Sequence, residues 1–281
     1  METIKIAHLS DIHFSRIFPR KLFYLIYQNL VNIKPDYICI TGDMIDQASV
    51  IEKETYRNEL QYWLKKYGEI APVIIGLGNH DMMQIKKGKT LECYHKEWFL
   101  TLNTIPNVHF LDNQEYIPNR KISFYGATIP FEHYQENEKN ELQLSSGNWK
   151  GEGYRVMLLH SPQHCVEEQT QRQNPMLANS DLVLAGHMHR GIVPRIITKL
   201  INSNRGFVSP QKTFFPNYAR GIVHKIVNQK KITLVISGGV VKFSETAPKL
   251  FHKLNGLFAS EMTVVEIDEK KFVKAKDLII R

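Results

Sequence analysis

The chain has 281 residues, 43% hydrophobic and 23% charged, a balance ordinary for a soluble globular protein of one large or two small domains. No apolar run approaches the eighteen or so residues that would cross a bilayer, and Met1 leads into an alternating strand pattern rather than a signal peptide, so the expected location is cytoplasmic. The formal charge of +8 is local: ten of the 36 Lys and Arg fall between Leu182 and Ser244, a stretch without Asp or Glu, which leaves 26 bases against 28 acids elsewhere.

Ile4 to Leu9 predicts a strand that runs into Ser10-Asp11-Ile12-His13. Arg20 to Asn32 carries Leu22, Leu25, Ile26, Leu30 and Val31 near helical spacing. A second strand, Tyr37 to Ile40, leads into Thr41-Gly42-Asp43, and a second helix is predicted over Lys53 to Tyr67 with Tyr56, Leu60, Trp63 and Leu64 on one face. Val73 to Ile75 leads through Gly76 and Gly78 into Asn79-His80-Asp81. Strands are also predicted at Val108–Leu111, Ile122–Gly126, Val156–Leu159 (before His160), Leu182–Ala185 (before Gly186-His187-Met188-His189), Ile232–Ser237 and Met262–Ile267. Glu132 to Asn148, dense in Glu, Gln and Asn, reads as a surface loop with one helical turn. Alternating strands and helices predict an α/β fold with a partly parallel sheet. Cys39, Cys93 and Cys165 are odd in number and far apart, forming neither a disulfide framework nor a zinc spacing.

Open α/β sheets bind ligands beyond the carboxyl ends of their strands, and five strand ends here carry metal-ligating groups. Asp11 and His13, one residue apart, point the same way on an extended segment and can grip one ion. Gly42 lets the backbone turn and aim Asp43 into the crevice, where its two oxygens could reach two ions. Asn79 offers a carbonyl oxygen, and His160, His187 and His189 offer imidazoles. A set of imidazole and carboxylate donors suits manganese, iron or zinc better than calcium.

The ordered blocks Asp11-Ile12-His13, Gly42-Asp43-Met44-Ile45-Asp46, Gly78-Asn79-His80-Asp81, His160 and Gly186-His187-Met188-His189 resemble those of the calcineurin-like metallophosphoesterases, spanning residues 11 to 189 with no ligand position substituted. That resemblance implies a fold of two packed mixed β-sheets flanked by helices, a four-layer αββα sandwich with the metal site along one edge. It implies that Asp11, His13 and His189 hold one divalent ion, that Asn79, His160 and His187 hold the other, and that Asp43 bridges them, with Mn²⁺ expected first and iron or zinc next. The nucleophile would be a hydroxide between the ions, attacking an anionic phosphoester in line. His80 would stabilise the developing charge or protonate the leaving oxygen. Asp81 is expected to orient His80, and Asp46 to hold a neighbouring ligand.

Departures from the family patterns narrow the branch. Gln47 stands where the protein Ser/Thr phosphatases place an arginine, and Asp46 where the DNA-repair nucleases commonly have histidine. The nearest pattern is the bacterial phosphodiesterase branch that acts on lipid-linked or nucleotide-linked substrates, although His189-Arg190-Gly191-Ile192 replaces its usual small-residue turn. The expected function is therefore a phosphodiesterase or pyrophosphatase. A nuclease is the alternative within the class, and a non-catalytic interaction protein the alternative outside it.

Residues 1–281 are expected to form one domain, with a basic and aromatic loop insertion at about 190–220. Within it, Ile192 to Ile201 reads as an amphipathic segment interrupted at Pro194. Such a segment could lie on the anionic inner face of a membrane, where each nearby Lys or Arg adds about 1 kcal/mol, or could steer an anionic substrate. Nucleic acid is the lesser expectation, because no recognised module accompanies the basic residues.

Overall fold

Strands buried on both faces need apolar residues at odd and even positions alike, and the central strands here supply them. The computed structural model of the chain describes residues 3–134, 149–166, 175–193, 204–206, 214, 217–227 and 230–280. One six-stranded sheet has the order β14-β13-β1-β2-β3-β6. Its strands are β1 (Ile4–Leu9), β2 (Tyr37–Thr41), β3 (Val73–Gly76), β6 (Val108–Phe110), β13 (Glu261–Ile267) and β14 (Val273–Ile279). The first four run parallel, and β13 and β14 add antiparallel at the β1 edge. A second six-stranded sheet has the order β11-β12-β10-β9-β8-β7. It is built from β7 (Gln114–Asn119), β8 (Ile122–Ala127), β9 (Tyr154–Leu159), β10 (Leu182–Ala185), β11 (Gly221–Val227) and β12 (Lys230–Ile236). Here β8, β9, β10 and β12 are parallel, with β7 and β11 antiparallel at the two edges.

Side-chain alternation divides the core into three layers. Ile4, Ile6, Cys39 and Ile74 face Phe124, Val156, Leu158, Leu182 and Val235 between the sheets. The intervening residues Ala7, Leu9, Ile38, Ile40, Val73 and Ile75 face outward against α1 (Lys21–Ile33) and, beyond the short α2 (Ser49–Glu52), α3 (Glu54–Gly68). On the far side, Met157, Leu159, Val183, Leu234 and Ile236 pack with Met176 and Leu177 of the short helix Pro175–Ala178. This is the helix–sheet–sheet–helix stack that the family resemblance implied.

Several elements lie outside the expected set. The hairpin β4 (Met83–Lys86) and β5 (Lys89–Glu92) follows His80 directly, turning on Lys87 and Gly88 at positive φ. Strands β7 and β14 are half-exposed, and neither presents a run of apolar residues. Of the expected surface loop at Glu132 to Asn148, the first residues belong to a single helical turn (Phe131–Tyr134), and residues 135–148 lie outside the described residues. Most of the 190–220 stretch, including Arg195, Lys199 and Lys212, also lies outside them. Among the described residues no helix is long and apolar enough to cross a membrane.

Candidate metal centre

The parallel strands of both sheets end at one edge, and the motif residues follow them. Asp11 and His13 come after β1, Asp43 and Asp46 after β2, Asn79, His80 and Asp81 after β3, His160 after β9, and His187 and His189 after β10. The structure brings Asp11, His13, Asp43 and His189 into one group and Asp43, His160 and His187 into another, the potential ligand atoms of each group lying within 4.8 Å of one another. Asp43 belongs to both.

The backbone at these positions is not the extended one expected. Asp11, His13, Asp43, His187 and His189 all have φ between 44° and 67°. A left-handed residue costs a non-glycine side chain about 1 kcal/mol or more and persists only where its surroundings fix it. Here the fixing is visible. The N–H groups of Asp11 and His13 donate to the carbonyls of Gly42 and Asp43 at 3.2 and 2.9 Å, and Val241 N–H donates to the Asp11 carbonyl at 2.9 Å. The glycines of the second and third blocks allow close approach: a Cβ on Gly42, itself at φ +86°, would run into the Gly78 backbone, and one on Gly78 into the Asp43 carboxylate.

The imidazoles are held by carbonyls on their far nitrogens. His160 Nδ1 lies 2.6 Å from the Thr41 carbonyl oxygen, His189 Nδ1 2.8 Å from that of Val241, and His80 Nδ1 2.7 Å from that of Asp46. Donation from Nδ1–H leaves each Nε2 lone pair available as a ligand, the tautomer a metal site needs. The near nitrogens crowd the carboxylates: His160 Nε2 is 3.1 Å and His13 Nε2 3.7 Å from Asp43 Oδ2, and His189 Nε2 is 3.5 Å from Asp11 Oδ1. His187 Nδ1 stands 3.3 Å from His160 Nε2, the spacing two nitrogens adopt on a shared tetrahedral ion with bonds of about 2.0–2.1 Å.

Electrostatics sharpen the division of labour. Burial would push the Asp43 carboxyl up, but the surrounding histidines, His160 first, hold it well below the usual range. Burial opposes charge on His160 too, yet Asp43 draws it up to about 9, so a divalent ion would take the place of the Nε2 proton that the carboxylate otherwise retains. Burial, and then His160, press His187 down to about 3, and burial presses His189 to about 4, so both stay neutral and able to donate a lone pair. Asp81 is pushed up to about 7 by burial and by the Asp43 charge.

One expected contact is made by a different residue. Asp81 does not orient His80: its oxygens accept backbone N–H from Ile45 at 3.0 Å and Gly78 at 2.8 Å, tying the second block to the third. Asp46 takes the orienting position, with its carbonyl on His80 Nδ1 and its Oδ1 3.3 Å from His13 Nδ1. Other neighbours had no motif to announce them. Buried His8 contacts Thr41 Oγ1 through Nε2 at 2.8 Å, and the Tyr134 ring lies 5.5 Å from His187 and 6.2 Å from His160. Behind His189, the buried Glu261 pairs with Arg190 and faces Lys242 at 3.9 Å, while Lys242 also donates to the carbonyls of Gly238 and Gly239. Arg190 and Lys242 were visible only as part of the acid-free stretch; their shared carboxylate lies seventy residues beyond the first of them.

The residues fit divalent metal. His13 Nε2, Asp43 Oδ2 and Asn79 Oδ1 are buried without a hydrogen-bond partner, and each is a potential ligand atom, the first two within the carboxylate and imidazole groups described above. Unsatisfied buried groups are costly, and ions would satisfy all three together.

Two mixed sheets with such a donor set at their shared edge define a metal-dependent hydrolase of phosphoric esters. The sequence model of the calcineurin-like phosphoesterases matches residues 4–191, two thirds of the chain, and the protein belongs to that family. A dimetal phosphatase from Danio rerio shares the fold, aligning over 99% of this chain and 99% of its own with a TM-score of 0.50 at 10% identity. A second solved structure aligns over 99% of this chain and 100% of its own at 10% identity, with a TM-score of 0.46. No curated protein matches the sequence.

Proposed function

We propose that the chain is a phosphodiesterase or pyrophosphatase acting on a lipid-linked or nucleotide-linked substrate. The observation that carries the dimetal reading is the position of Asp43, common to the two ligand groups. In this reading Asp11, His13 and His189 hold one ion, Asn79, His160 and His187 the other, and Asp43 both. Two divalent ions there would supply an activated water and neutralise charge on the phosphate, with Mn²⁺ favoured by the mixed donor set.

The chain's own groups do the remaining work. His80, half-buried beside the centre with its backbone N–H on Asp43 Oδ1 at 2.8 Å, is pinned from both ends by Asp43 and Asp46. Burial lowers its pKa, so near neutral pH it rests as the neutral ring with its proton on Nδ1. Nε2 is then free to contact the phosphate, and on protonation it would deliver a proton to the leaving oxygen, a contribution typically of about 10²–10⁴-fold. Gln47 supports the diester preference: its amide oxygen accepts the Ile85 N–H at 3.1 Å and contacts Gln84, so it brings no positive charge to a dianionic monoester.

The test is turnover of an aryl phosphodiester beside its monoester, after chelation and Mn²⁺ add-back. Diester cleavage that needs Mn²⁺, disappears in Asp43→Asn and falls about 10²–10⁴-fold in His80→Ala with metal content retained is the expected result. Faster cleavage of the monoester would overturn the diesterase assignment.

A further inference from the structure

Two cavities adjoin the candidate centre on the helix side of the first sheet. The smaller, about 190 Å³, is lined by His13 together with Phe18, Phe243 and His252. The larger, about 470 Å³, lies within the size range of small-molecule sites and is walled by Leu22, Leu25, Val240, Phe258, Ile279 and Ile280. They are neighbours: Pro19, Val241 and Asn255 line both, and the Phe243 ring of one meets the Phe258 ring of the other edge-on at 5.4 Å. Val241 is also the residue whose carbonyl holds His189. The two cavities thus share a wall, and the smaller one, which also carries Ser15, Ser244 and Glu245, reaches the candidate ligand His13.

The chemistry of the wall selects the occupant. No carboxylate lines the larger cavity, and its charged residues are Lys21 and Lys242. Its one amide, Asn255, is already engaged: Oδ1 accepts the Phe243 N–H at 2.9 Å and Nδ2 donates to the Phe243 carbonyl at 2.7 Å. Apart from the two lysines, that amide and Ser260 the wall is aliphatic and aromatic, so it offers a nucleobase or sugar few partners for its polar edges and a hydrocarbon chain continuous contact. The segment that supplies Asn255 and Phe258 also leaves Leu250 73% and Leu257 60% exposed, next to the exposed Lys249 and Lys253. An apolar rim dotted with cations suits the headgroup boundary of an anionic amphiphile.

We infer that these adjoining cavities bind the hydrocarbon chain of a phosphodiester whose phosphate sits at the metal centre, which makes the substrate an alkyl- or acyl-bearing one. This rests on the phosphodiesterase reading and chooses within it, lipid-linked over nucleotide-linked. It also offers the segment around residues 249–258 as an amphiphile-facing surface.

The experiment is a series of p-nitrophenyl alkyl phosphates from methyl to octyl with the Mn²⁺-loaded protein. KM should fall about fourfold per methylene until the cavity is filled, with kcat steady, because a buried CH₂ contributes to ground and transition states alike. Leu25→Gln, at a half-buried wall position, should shrink the methyl-to-octyl ratio at least roughly tenfold, and Ile279→Gln on the opposite wall should do the same. Calorimetry of octyl against methyl phosphate reads the cavity without turnover, with octyl expected up to roughly ten-thousandfold tighter, about fourfold for each added methylene. Diester cleavage with a flat KM series and equal affinities would overturn the cavity assignment and leave the phosphodiesterase reading standing. Tight octyl phosphate binding without cleavage of any diester would do the reverse.

Discussion

Chelating divalent ions from the protein should lower its melting temperature by on the order of 10 °C, and the structure gives the size of the effect. His13 Nε2, Asp43 Oδ2 and Asn79 Oδ1 are buried without hydrogen-bond partners. Each such group costs about 1–3 kcal/mol, so satisfying all three with bound ions returns about 3–9 kcal/mol. Mass action sets a similar scale, about 4 kcal/mol when free ion stands at a thousand times its Kd. For a chain of this length about 1 kcal/mol moves the midpoint by roughly 2 °C, which gives a rise of about 6–18 °C on metal binding. Scanning calorimetry of protein dialysed against EDTA, followed by Mn²⁺ titration, makes the measurement. Asp43→Asn should retain only part of the rise, since it weakens both ligand groups at once. An unchanged midpoint at millimolar Mn²⁺ would mean that those three atoms are not ligands, and the dimetal assignment would fall with them.

The cluster behind His189 gives a second expectation. Glu261→Ala leaves Arg190 and Lys242 buried without their carboxylate and should cost about 3–5 kcal/mol in urea unfolding, whereas an exposed control such as Glu97→Ala should cost little. Arg190 and Lys242 share that carboxylate, and burial, followed by the Arg190 charge, pushes the Lys242 ammonium down to about 7. Between about pH 7 and 10.4 the unfolded chain then holds a proton the folded one has released, so stability rises with pH across that window. Lys242→Met should flatten the rise in urea melts, and an unaltered slope would remove the lysine as its source. Gly42→Ala drives a Cβ into the Gly78 backbone at a left-handed position. It should destabilise by about 1–3 kcal/mol and abolish the Mn²⁺-dependent rise in melting temperature; full metal response in that variant would contradict the close-packing argument.

What could be read from the sequence was whatever repeats locally. The central strands declared themselves because burial on both faces demands unbroken β-branched and aliphatic runs, and all of the predicted strands and both predicted helices are present within two residues of their expected bounds. The candidate ligands declared themselves because each sits just past such a run. The edge strands did not: β7 and β14 alternate with exposed polar residues and look like loops until a neighbouring strand is known. Backbone geometry was illegible for a different reason. Asp11 and His13 were expected to share a side by extended alternation, but they do so in a left-handed bend stabilised by carbonyls thirty residues away. That the Asp46 backbone carbonyl rather than the Asp81 carboxylate meets His80 has the same origin, since it depends on how two strand-end loops cross, and no spacing within either loop encodes that.

The candidate ligands divide between the two sheets: Asp11, His13, Asp43 and Asn79 extend from the first, and His160, His187 and His189 from the second. Neither sheet alone carries a full donor set for either ion, and the bonds that aim the donors, such as His160 Nδ1 on the Thr41 carbonyl, cross from one sheet to the other. In the proposed arrangement a complete donor set exists only once the two sheets have packed, so metal uptake during refolding would serve as a clock for the docking of the two halves.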